Sequence, residues 1–182
     1  MDELIDILDA NGNFLGKTAM KSEVHRKGFF HSTVHIWLYT RSGKVLIQQR
    51  GKDKSTFPLI WDVSVAGHVG AGEEIELSAI REVKEEIGLT IVKGDLRKIG
   101  VFKSIHKHNK DLIDREFHHT FLCELKIPLE KLKKQESEVA ALDLIPLLKF
   151  SEETWGMAHL KKYVPHGIAY YSTIIKAIKA ML

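Results

Sequence analysis

The chain has 182 residues, of which 44% are hydrophobic and 28% are charged, with a formal net charge of +3. These values are typical of a folded globular chain, here expected to form a single domain over residues 1–182, and argue against disorder. No apolar run reaches the length of a membrane span and no long basic tract is present, so we expect neither a membrane nor a nucleic acid as a partner.

The first part of the chain consists of short apolar and β-branched runs separated by turn-forming residues. These runs predict a turn over 9–13, a short helix over 20–27, and strands over 4–8, 33–40, 44–50 and 62–66. Arg41, Ser42 and Gly43 join two of the runs, which is typical of a β-hairpin.

The second part begins with a helical pattern over 74–87, and Gly88 follows at the position of a left-handed C-cap. Two long runs, 96–106 and 112–125, predict strands joined by a turn over 107–110, and 139–145 predicts a further strand. From about Pro146 the chain has a helical pattern, with apolar residues at helix spacing at Ile168, Tyr171, Ile174, Ile175 and Ile178. Strands flanked by helices predict an α/β or α+β sandwich.

Acidic residues are concentrated on one side of the helix predicted over 74–87. Glu82, Glu85 and Glu86 stand at positions i, i+3 and i+4 and therefore share one face. A separate apolar stripe, which can pack on a sheet, is formed by Ile80, Val83 and Ile87. Taken alone, such an acidic cluster is more often a solvated face. Like charges on one face repel each other, however, and a hard divalent cation such as Mg²⁺ binds carboxylate oxygens.

The segment before this helix is rich in glycine, so its backbone can turn sharply and approach a metal ion. It runs from Gly67 to Gly72 with the sequence GHVGAG. Glu73 and Arg81 lie eight residues apart across the junction of loop and helix. We expect these two side chains to pair and to hold the loop against the helix.

The whole array matches the Nudix box, G-x5-E-x7-R-E-U-x-E-E-x-G-U, in which U is a bulky aliphatic residue. The matching residues are Gly67, Glu73, Arg81, Glu82, Val83, Glu85, Glu86, Gly88 and Leu89. The chain therefore resembles the Nudix hydrolases, and the order of its predicted strands agrees with this resemblance. The resemblance implies an α/β/α sandwich with a mixed β-sheet, in which residues 67–89 form a loop–helix–loop.

The resemblance also implies a chemistry. It predicts a Mg²⁺- or Mn²⁺-dependent hydrolase in which activated water attacks phosphorus and cleaves the pyrophosphate linkage of a nucleoside diphosphate derivative. By resemblance, the metal ligands are Glu82, Glu85, Glu86 and the backbone carbonyl of Ala66. Glu73 and Arg81 are implied as structural partners within the box, together with Gly67 and Gly88.

The general base and the substrate contacts vary among Nudix enzymes. Candidates for the base are Glu85 and Glu86 in the box and Glu116 and Glu138 outside it, of which Glu116 is preferred outside the box. Arg50 ends a predicted strand in a neighbourhood that often faces the substrate, so it is a candidate phosphate contact. The alternative role of this arginine is that of a structural cation at the edge of the sheet. For Phe57 and Trp61, core packing is favoured over stacking on a base.

The wider sequence also resembles type I isopentenyl-diphosphate isomerase, which shares the Nudix fold. The resemblance includes Trp61 and the run VSVAGH at 63–68. It implies a second metal site formed by His25, His31, His68, Asp114 and Glu116, although the spacing from His25 to His31 is one residue shorter.

Two departures argue against isomerase chemistry. Ala66 stands where the isomerase has its catalytic cysteine, and Cys123 lies on a later predicted strand. Alanine neither donates nor accepts the proton that double-bond migration requires. In addition, all the hydrolase-box acids are present. A second alternative is a Nudix module that binds nucleotides without catalysis, and the complete set of box acids argues against this reading too.

The only cysteine in the sequence, Cys123, cannot form an internal disulfide. The stretch MDELIDILDA lacks the basic-then-apolar pattern of a signal peptide. We therefore expect a cytoplasmic protein that acts on a small diphosphate molecule. The sequence leaves the oligomeric state open, and a homodimer is compatible with it.

Overall fold

The computed structural model describes residues 2–155 and 161–182. Within these ranges the chain forms nine strands and four α-helices. The strands are β1 (Leu4–Leu8), β2 (Phe14–Met20), β3 (Phe30–Thr40), β4 (Lys44–Arg50), β5 (Trp61–Asp62), β6 (Val65–His68), β7 (Arg97–Asn109), β8 (Leu112–Glu124) and β9 (Val139–Pro146). The helices are α1 (Lys21–Lys27), α2 (Ile75–Ile87), α3 (Leu147–Thr154) and α4 (Ile168–Lys179).

Strand β3 is at the centre of one mixed sheet. It pairs antiparallel with β1, β4 and β6, and parallel with β8. Beyond these neighbours, β2 pairs with β1, β7 pairs with β8, and β5 and β9 both pair with β4. The parallel pairing of β3 with β8 makes the sheet mixed, as the resemblance implied.

The alternation of side chains along β3 explains the layers on both sides of the sheet. Val34, Ile36 and Leu38 point to one face, where they pack with residues of α2 that include Val83 and Ile87. On the opposite face, a second apolar cluster joins β3 to α3 and α4, and it contains Trp37, Tyr39, Phe150, Ile174 and Ile178. The sheet is therefore buried between helices on both faces, which is the predicted α/β/α sandwich.

The face of β3 that is turned toward α4 changes character along the strand. Its first half carries His31, Thr33 and His35, and its second half carries Trp37 and Tyr39. The parallel register places similar polar residues of β8 beside the first half, with Glu116 opposite His31, His118 opposite Thr33 and Thr120 opposite His35. Polar side chains on two neighbouring strands therefore face a region that the apolar cluster does not fill.

Several predicted elements are confirmed. β1 has the predicted bounds, and the predicted hairpin is present because β3 and β4 pair next to their turn, with Thr40 opposite Lys44. Helix α2 ends at Gly88, which has the left-handed φ of 68° expected of its C-cap. Val83 and Ile87 are fully buried against the sheet, as the apolar stripe predicted. The C-terminal region contains helices α3 and α4, and residues 156–160 of the predicted helical region lie outside the described residues.

The sequence prediction missed one strand and misplaced the bounds of two other elements. β2 was not predicted, because nearly all of its residues are exposed and the strand lacks an alternating apolar pattern. The strand predicted over 62–66 is two strands, β5 and β6, which pair with different neighbours. The turn predicted over 107–110 begins later, since the ladder between β7 and β8 continues to Asn109 and Leu112. Polar residues on an exposed hairpin did not end the strand.

Among residues 2–155 and 161–182, none of the helices combines the length and the apolar character that a membrane span requires.

Candidate active site

Helix α2 carries the three box glutamates along the edge of a cavity. Glu82 and Glu86 are buried, whereas the side chain of Glu85 remains 51% exposed. All three line the same cavity of about 240 Å³, and we call it the acid cavity. Ala66 and Glu138, which come from β6 and the segment before β9, line it too.

A glycine brings the backbone of β6 into direct contact with α2. A Cβ atom added to Gly67 would lie 1.9 Å from Cδ of Glu82, far inside any allowed contact. The absence of a side chain at Gly67 is therefore what lets the Glu82 carboxylate reach this position. Gly67 and Glu82 are therefore packed directly against each other.

Arg81 connects the acidic side chains of the box with one another. Its guanidinium donates two hydrogen bonds of 3.0 Å to the carboxylate of Glu73, so the pairing expected from the spacing is present. The same group donates to Glu82 at 2.7 Å, to Glu85 at 3.1 Å and to the backbone carbonyl of His68 at 3.0 Å. One partly exposed cation thus holds the loop against the helix and orients two of the three carboxylates.

The donor set of the acid cavity fits a divalent cation. Burial raises the pKa of Glu86 to about 8, against the effect of Lys54, and the neighbouring Glu82 carboxylate adds to the rise. Glu86 receives one hydrogen bond of 3.2 Å from the side chain of Gln48 and a long one of 3.4 Å from the backbone N–H of Ala66. Glu86 is thus a poorly compensated carboxylate beside those of Glu82 and Glu85, and clustered carboxylate oxygens are the ligands that Mg²⁺ and Mn²⁺ prefer.

A second group with metal-binding character lies on the other side of β6. Ligand atoms of His25, His31, His68 and Glu116 all lie within 4.8 Å of one another. The Nε2 atoms of His25 and His68 are 3.0 Å apart, and Glu116 Oε1 lies 3.4 Å from His31 Nε2 and 3.8 Å from His68 Nε2. Burial favours a raised pKa for Glu116, but the His31, His118 and His68 rings outweigh it and hold the pKa well below the usual range.

The hydrogen bonds of two of these histidines determine which nitrogen faces the group. His31 Nδ1 lies 3.0 Å from the carbonyl oxygen of Phe29, an atom that only accepts, so Nδ1 carries the proton. His25 Nδ1 lies 2.7 Å from the Asp114 carboxylate and is a donor for the same reason. In neutral rings, Nε2 of His31 then presents a lone pair toward the Glu116 carboxylate, and Nε2 of His25 presents one toward His68 Nε2. Converging acceptors of this kind fit a cation.

Asp114, the fifth residue that the isomerase resemblance implied for this group, is not among the four. Its two oxygens accept hydrogen bonds from His25 at 2.7 Å and from His108 at 2.8 Å. Asp114 therefore contacts His25, which belongs to the group, through the ring nitrogen that is not a ligand atom.

The four-residue group opens into a second cavity of about 180 Å³, which we call the histidine cavity. Arg50 lines it, but three of its five N–H groups are already used: Nε donates to the carbonyl of Thr56, Nη2 to the Thr56 hydroxyl and Nη1 to Asp62, each at 3.0 Å. Two N–H groups remain for a ligand. Arg50 can therefore hold the 51–60 loop in place and still contact a phosphate group, as predicted.

The two cavities meet along β6. Ala66, Gly67 and His68 line both of them, as does Lys21. Lys54 lines the histidine cavity and forms an ion pair with Glu138 of the acid cavity. A molecule that extends from one cavity to the other therefore passes over β6 and close to Lys54.

Several residues of the histidine cavity were not singled out in the sequence. His35, Asp62, His118 and His166 line it, and the side chains of all four are largely buried. The polar residues at every second position of β3 and β8 were the available signal, because alternate residues of a strand share a face. Phe57, for which core packing was favoured, has a positive φ of 47° and lines this cavity beside His106, with the two ring centroids 5.8 Å apart.

Comparisons with known proteins bear on the family and the fold of the chain. Residues 29–166 match the family described as the NUDIX domain. The chain is 32% identical to an uncharacterised Nudix hydrolase of Clostridium acetobutylicum over 97% of both chains. It is 31% identical to an isopentenyl-diphosphate delta-isomerase of Serratia proteamaculans, over 67% of this chain and 66% of that relative.

Solved structures show the same fold at low sequence identity. A MutT protein of Methanosarcina mazei superposes with a TM-score of 0.62 at 15% identity, covering 84% of this chain and 94% of the other. The Nudix domain of Shewanella oneidensis NrtR, in a complex with ADP ribose, superposes with a TM-score of 0.59 at 14% identity, covering 81% and 87%. With its complete box on α2 and this agreement in sequence and fold, the chain belongs to the Nudix family.

Proposed function

We propose that the protein hydrolyses a phosphorus–oxygen bond in the pyrophosphate linkage of a nucleoside diphosphate derivative or a related diphosphate, with Mg²⁺ or Mn²⁺ as the cation. The observation that carries the proposal is the convergence of Glu82, Glu85 and Glu86 on the acid cavity. The ADP ribose bound to the Shewanella oneidensis Nudix domain supports this class of ligand.

The residues of the acid cavity are suited to hold a cation and a diphosphate together. When bound, a divalent cation neutralises phosphate oxygens and lowers the pKa of a water molecule. Arg81 fixes the Glu82 carboxylate and Gln48 contacts that of Glu86, so both groups are oriented before a ligand arrives. Lys54 and the free N–H groups of Arg50 offer positive charge to the phosphates on the side of the histidine cavity.

We assign the general base to Glu138. It lines the acid cavity from outside the box helix, and the ion pair with Lys54 lowers its pKa against the effect of burial. An ionised carboxylate at this position can take the proton from the attacking water. Glu116, preferred from the sequence, lies instead among the histidines across β6. We assign it, with His25, His31 and His68, to a second cation site.

The proposal is tested by assaying phosphate release from a panel of nucleotide sugars, dinucleoside polyphosphates, nucleoside di- and triphosphates and coenzymes, with Mg²⁺ or Mn²⁺. We expect turnover of at least one of these classes. Binding of these compounds without any phosphate release would favour the non-catalytic Nudix module instead, and absence of both binding and turnover would contradict the proposal.

Substitutions within α2 test the role of its acids. Glu86→Gln and Glu85→Gln are each expected to lower kcat by about 10²- to 10³-fold, because the negative charge that holds the cation is reduced. Glu76→Gln is the matched control, since Glu76 lies on the same helix and outside both cavities. Near-normal kcat in both cavity variants, with intact folding, would remove these residues from the mechanism.

Isomerase activity is the second candidate, favoured by the Serratia proteamaculans relative and by the group of three histidines and Glu116. Ala66 lines both cavities at the position where the isomerase has its cysteine, and its methyl group cannot transfer a proton. We therefore expect no dimethylallyl diphosphate when the protein is incubated with isopentenyl diphosphate and a divalent metal. Detection of that product by mass spectrometry would establish the isomerase reading.

A further inference from the structure

The acid cavity contains more negative charge than the neighbouring cations compensate. Five glutamates line it: Glu3, Glu82, Glu85, Glu86 and Glu138. Arg81 forms ion pairs with Glu82 and Glu85, and Lys54 forms one with Glu138. Within residues 2–155 and 161–182, neither Glu3 nor Glu86 has a Lys, Arg or His nitrogen within 4.0 Å of its carboxylate. Carboxylates in one cavity repel each other, and a bound divalent cation removes this repulsion.

Glu3 reaches the acid cavity from the segment before β1, and hydrogen bonds hold the backbone of this segment. The Glu3 carbonyl accepts a hydrogen bond of 2.7 Å from the N–H of Lys21. The Asp2 carboxylate accepts hydrogen bonds from the N–H and the hydroxyl group of Ser22, at 3.1 and 2.6 Å. The Glu3 side chain itself is exposed, so a cation from solvent reaches it. Its carboxylate is therefore accessible, whereas the backbone that carries it is fixed.

The alternation of side chains places Glu3 on the side of β1 that α1 covers. Ile5, two residues further along the chain, is buried in one cluster with Val24 of α1. Alternate residues of an extended segment share a face, so Glu3 and Ile5 point to the same side. Lys21, the first residue of α1, lines the acid cavity as Glu3 does. The start of α1 and the Glu3 side chain therefore border the cavity together.

The charge of Glu3 acts on an acid of the box helix. Burial raises the pKa of Glu82 and the ion pair with Arg81 opposes the rise, whereas the charges of Glu85 and Glu3 add to it. This effect agrees with a Glu3 carboxylate on the cavity side of the N-terminal segment, which the alternation also indicates. Glu3 thus presents its carboxylate to the space that the box acids border.

We propose that Glu3 supplies a further carboxylate ligand to the divalent cation of the acid cavity. This inference rests on the proposed function, which places a cation in this cavity. Mg²⁺ and Mn²⁺ bind carboxylate oxygens, and the number of charged ligands sets the affinity of such a site. Glu3 lies outside residues 29–166, which match the NUDIX domain, so this ligand comes from a part of the chain that the family match does not include. The N-terminal segment is then part of the metal site.

Three substitutions of glutamate by glutamine test the proposal, since each removes one negative charge and keeps the size of the side chain. Glu3→Gln removes the proposed ligand, and Glu86→Gln shows whether the cation that is measured lies in the acid cavity. Glu23→Gln is the matched control. Glu23 also belongs to the N-terminal part of the chain, but it forms an ion pair with Lys27 along α1 and lines neither cavity.

The experiment measures the Kd of Mg²⁺ for the metal-free protein by isothermal titration calorimetry, without substrate, after melting temperatures have shown that each variant is folded. Mg²⁺ prefers oxygen to imidazole ligands, so the group of three histidines and Glu116 contributes little. We expect Glu3→Gln and Glu86→Gln each to raise the Kd by about tenfold or more, and Glu23→Gln to leave it unchanged.

A repeat of the titration at high salt separates a ligand from a distant charge. In about 1 M NaCl the Debye length is about 3 Å, so an effect that acts through solvent is screened. The loss of affinity in Glu3→Gln should therefore be retained in about 1 M NaCl, as it is in about 0.1 M.

The outcomes separate this inference from the proposed function. If the unchanged protein binds no Mg²⁺, or if Glu86→Gln binds it equally tightly, the acid cavity is not the cation site and both proposals are overturned. If Glu86→Gln weakens binding and Glu3→Gln does not, only the role of Glu3 is overturned. A loss in Glu3→Gln that disappears at high salt, or that Glu23→Gln reproduces, also overturns this role. A loss specific to Glu3→Gln at both salt concentrations supports the inference even when no compound in the panel is hydrolysed.

Discussion

Single hydrogen bonds determine how individual residues of this site behave. The carbonyl of Phe29 and the carboxylate of Asp114 each accept from the Nδ1 atom of a histidine, and they thereby leave the Nε2 atoms of His31 and His25 as the ligand atoms of the histidine group. A neutral partner behind one ring and a charged partner behind the other give the same orientation. The charge of Asp114 has a further effect, because it makes the His25 ring a stronger electron donor.

Asp114→Asn tests this effect at the scale of one residue. The change keeps the size of the side chain and removes its charge, so we expect the affinity of the histidine group for Co²⁺ or Mn²⁺ to fall by about 10- to 100-fold. The measurement is a metal titration of the metal-free protein followed by calorimetry, or by the visible absorption of Co²⁺. Asp111→Asn in the nearby exposed turn is the control. Unchanged affinity in Asp114→Asn would show that the carboxylate has no influence on metal binding.

At the scale of elements, the contact between β6 and α2 fixes the position of the box helix. The helix packs through its apolar stripe on the sheet, and the close approach of Glu82 to Gly67 then sets its distance from β6. Because Arg81 also binds the His68 carbonyl, the strand and the helix are linked by both packing and hydrogen bonds. A displacement of either element disturbs the acid cavity.

Gly67→Ala tests this contact. The new methyl group would overlap with the Glu82 side chain, so we expect the free energy of unfolding to fall by about 1 to 3 kcal/mol and the hydrolytic kcat to fall with it. Denaturant unfolding and the phosphate-release assay provide the two readouts. Gly94→Ala is the control, since a Cβ atom there meets no atom within 4 Å and Gly94 has no positive φ. Equal stability of the two variants would contradict the packing argument.

At the scale of the whole molecule, buried histidines couple folding to pH. Burial lowers the pKa of His35 well below 6.5, with further lowering from His118 and His166, and burial also lowers the pKa of His119. These groups bind protons more readily in the unfolded chain than in the folded one. Their effect on stability is therefore absent above about pH 6.5 and unfavourable below it, where the unfolded chain takes up protons first.

We therefore expect the free energy of unfolding to decrease as the pH falls from about 6.5 toward 5, by up to about 1.4 kcal/mol per pH unit for each such histidine. Denaturant unfolding measured at intervals between pH 5 and 8 gives this profile. His119→Gln cannot take up a proton in either state, so its profile should be less steep in the acidic range. A profile that is flat below pH 6.5 would be incompatible with neutral, buried histidines.

The sequence predicted those parts of the molecule that depend on local patterns. The spacing of apolar and acidic residues predicted the box helix. Gly88 predicted its end, because glycine has no side chain and adopts a left-handed φ without strain. The four members of the histidine group were named only through a family resemblance. Their approach depends on the parallel pairing of β3 with β8, two strands that lie far apart in the chain.

The parts that were not predicted are those in which tertiary pairing overrides local character. The exposed strand β2 has no alternation because it borders solvent on most of its surface. Asp62 and His166 are 104 residues apart and meet only when the segment before α4 folds over the end of β5. No local pattern marks such a pair, since each residue alone resembles an ordinary surface residue.

The change of character along β3 places a limit on how stable this protein can be. One face of the strand is hydrophobic core at Trp37 and Tyr39 and cavity wall at Thr33 and His35. Each of these two polar residues therefore occupies a position where a larger apolar side chain would add burial. Natural variation that filled this region would make the fold more robust and would at the same time close the cavity. The open cavity is therefore maintained at the expense of apolar burial in this part of the sheet.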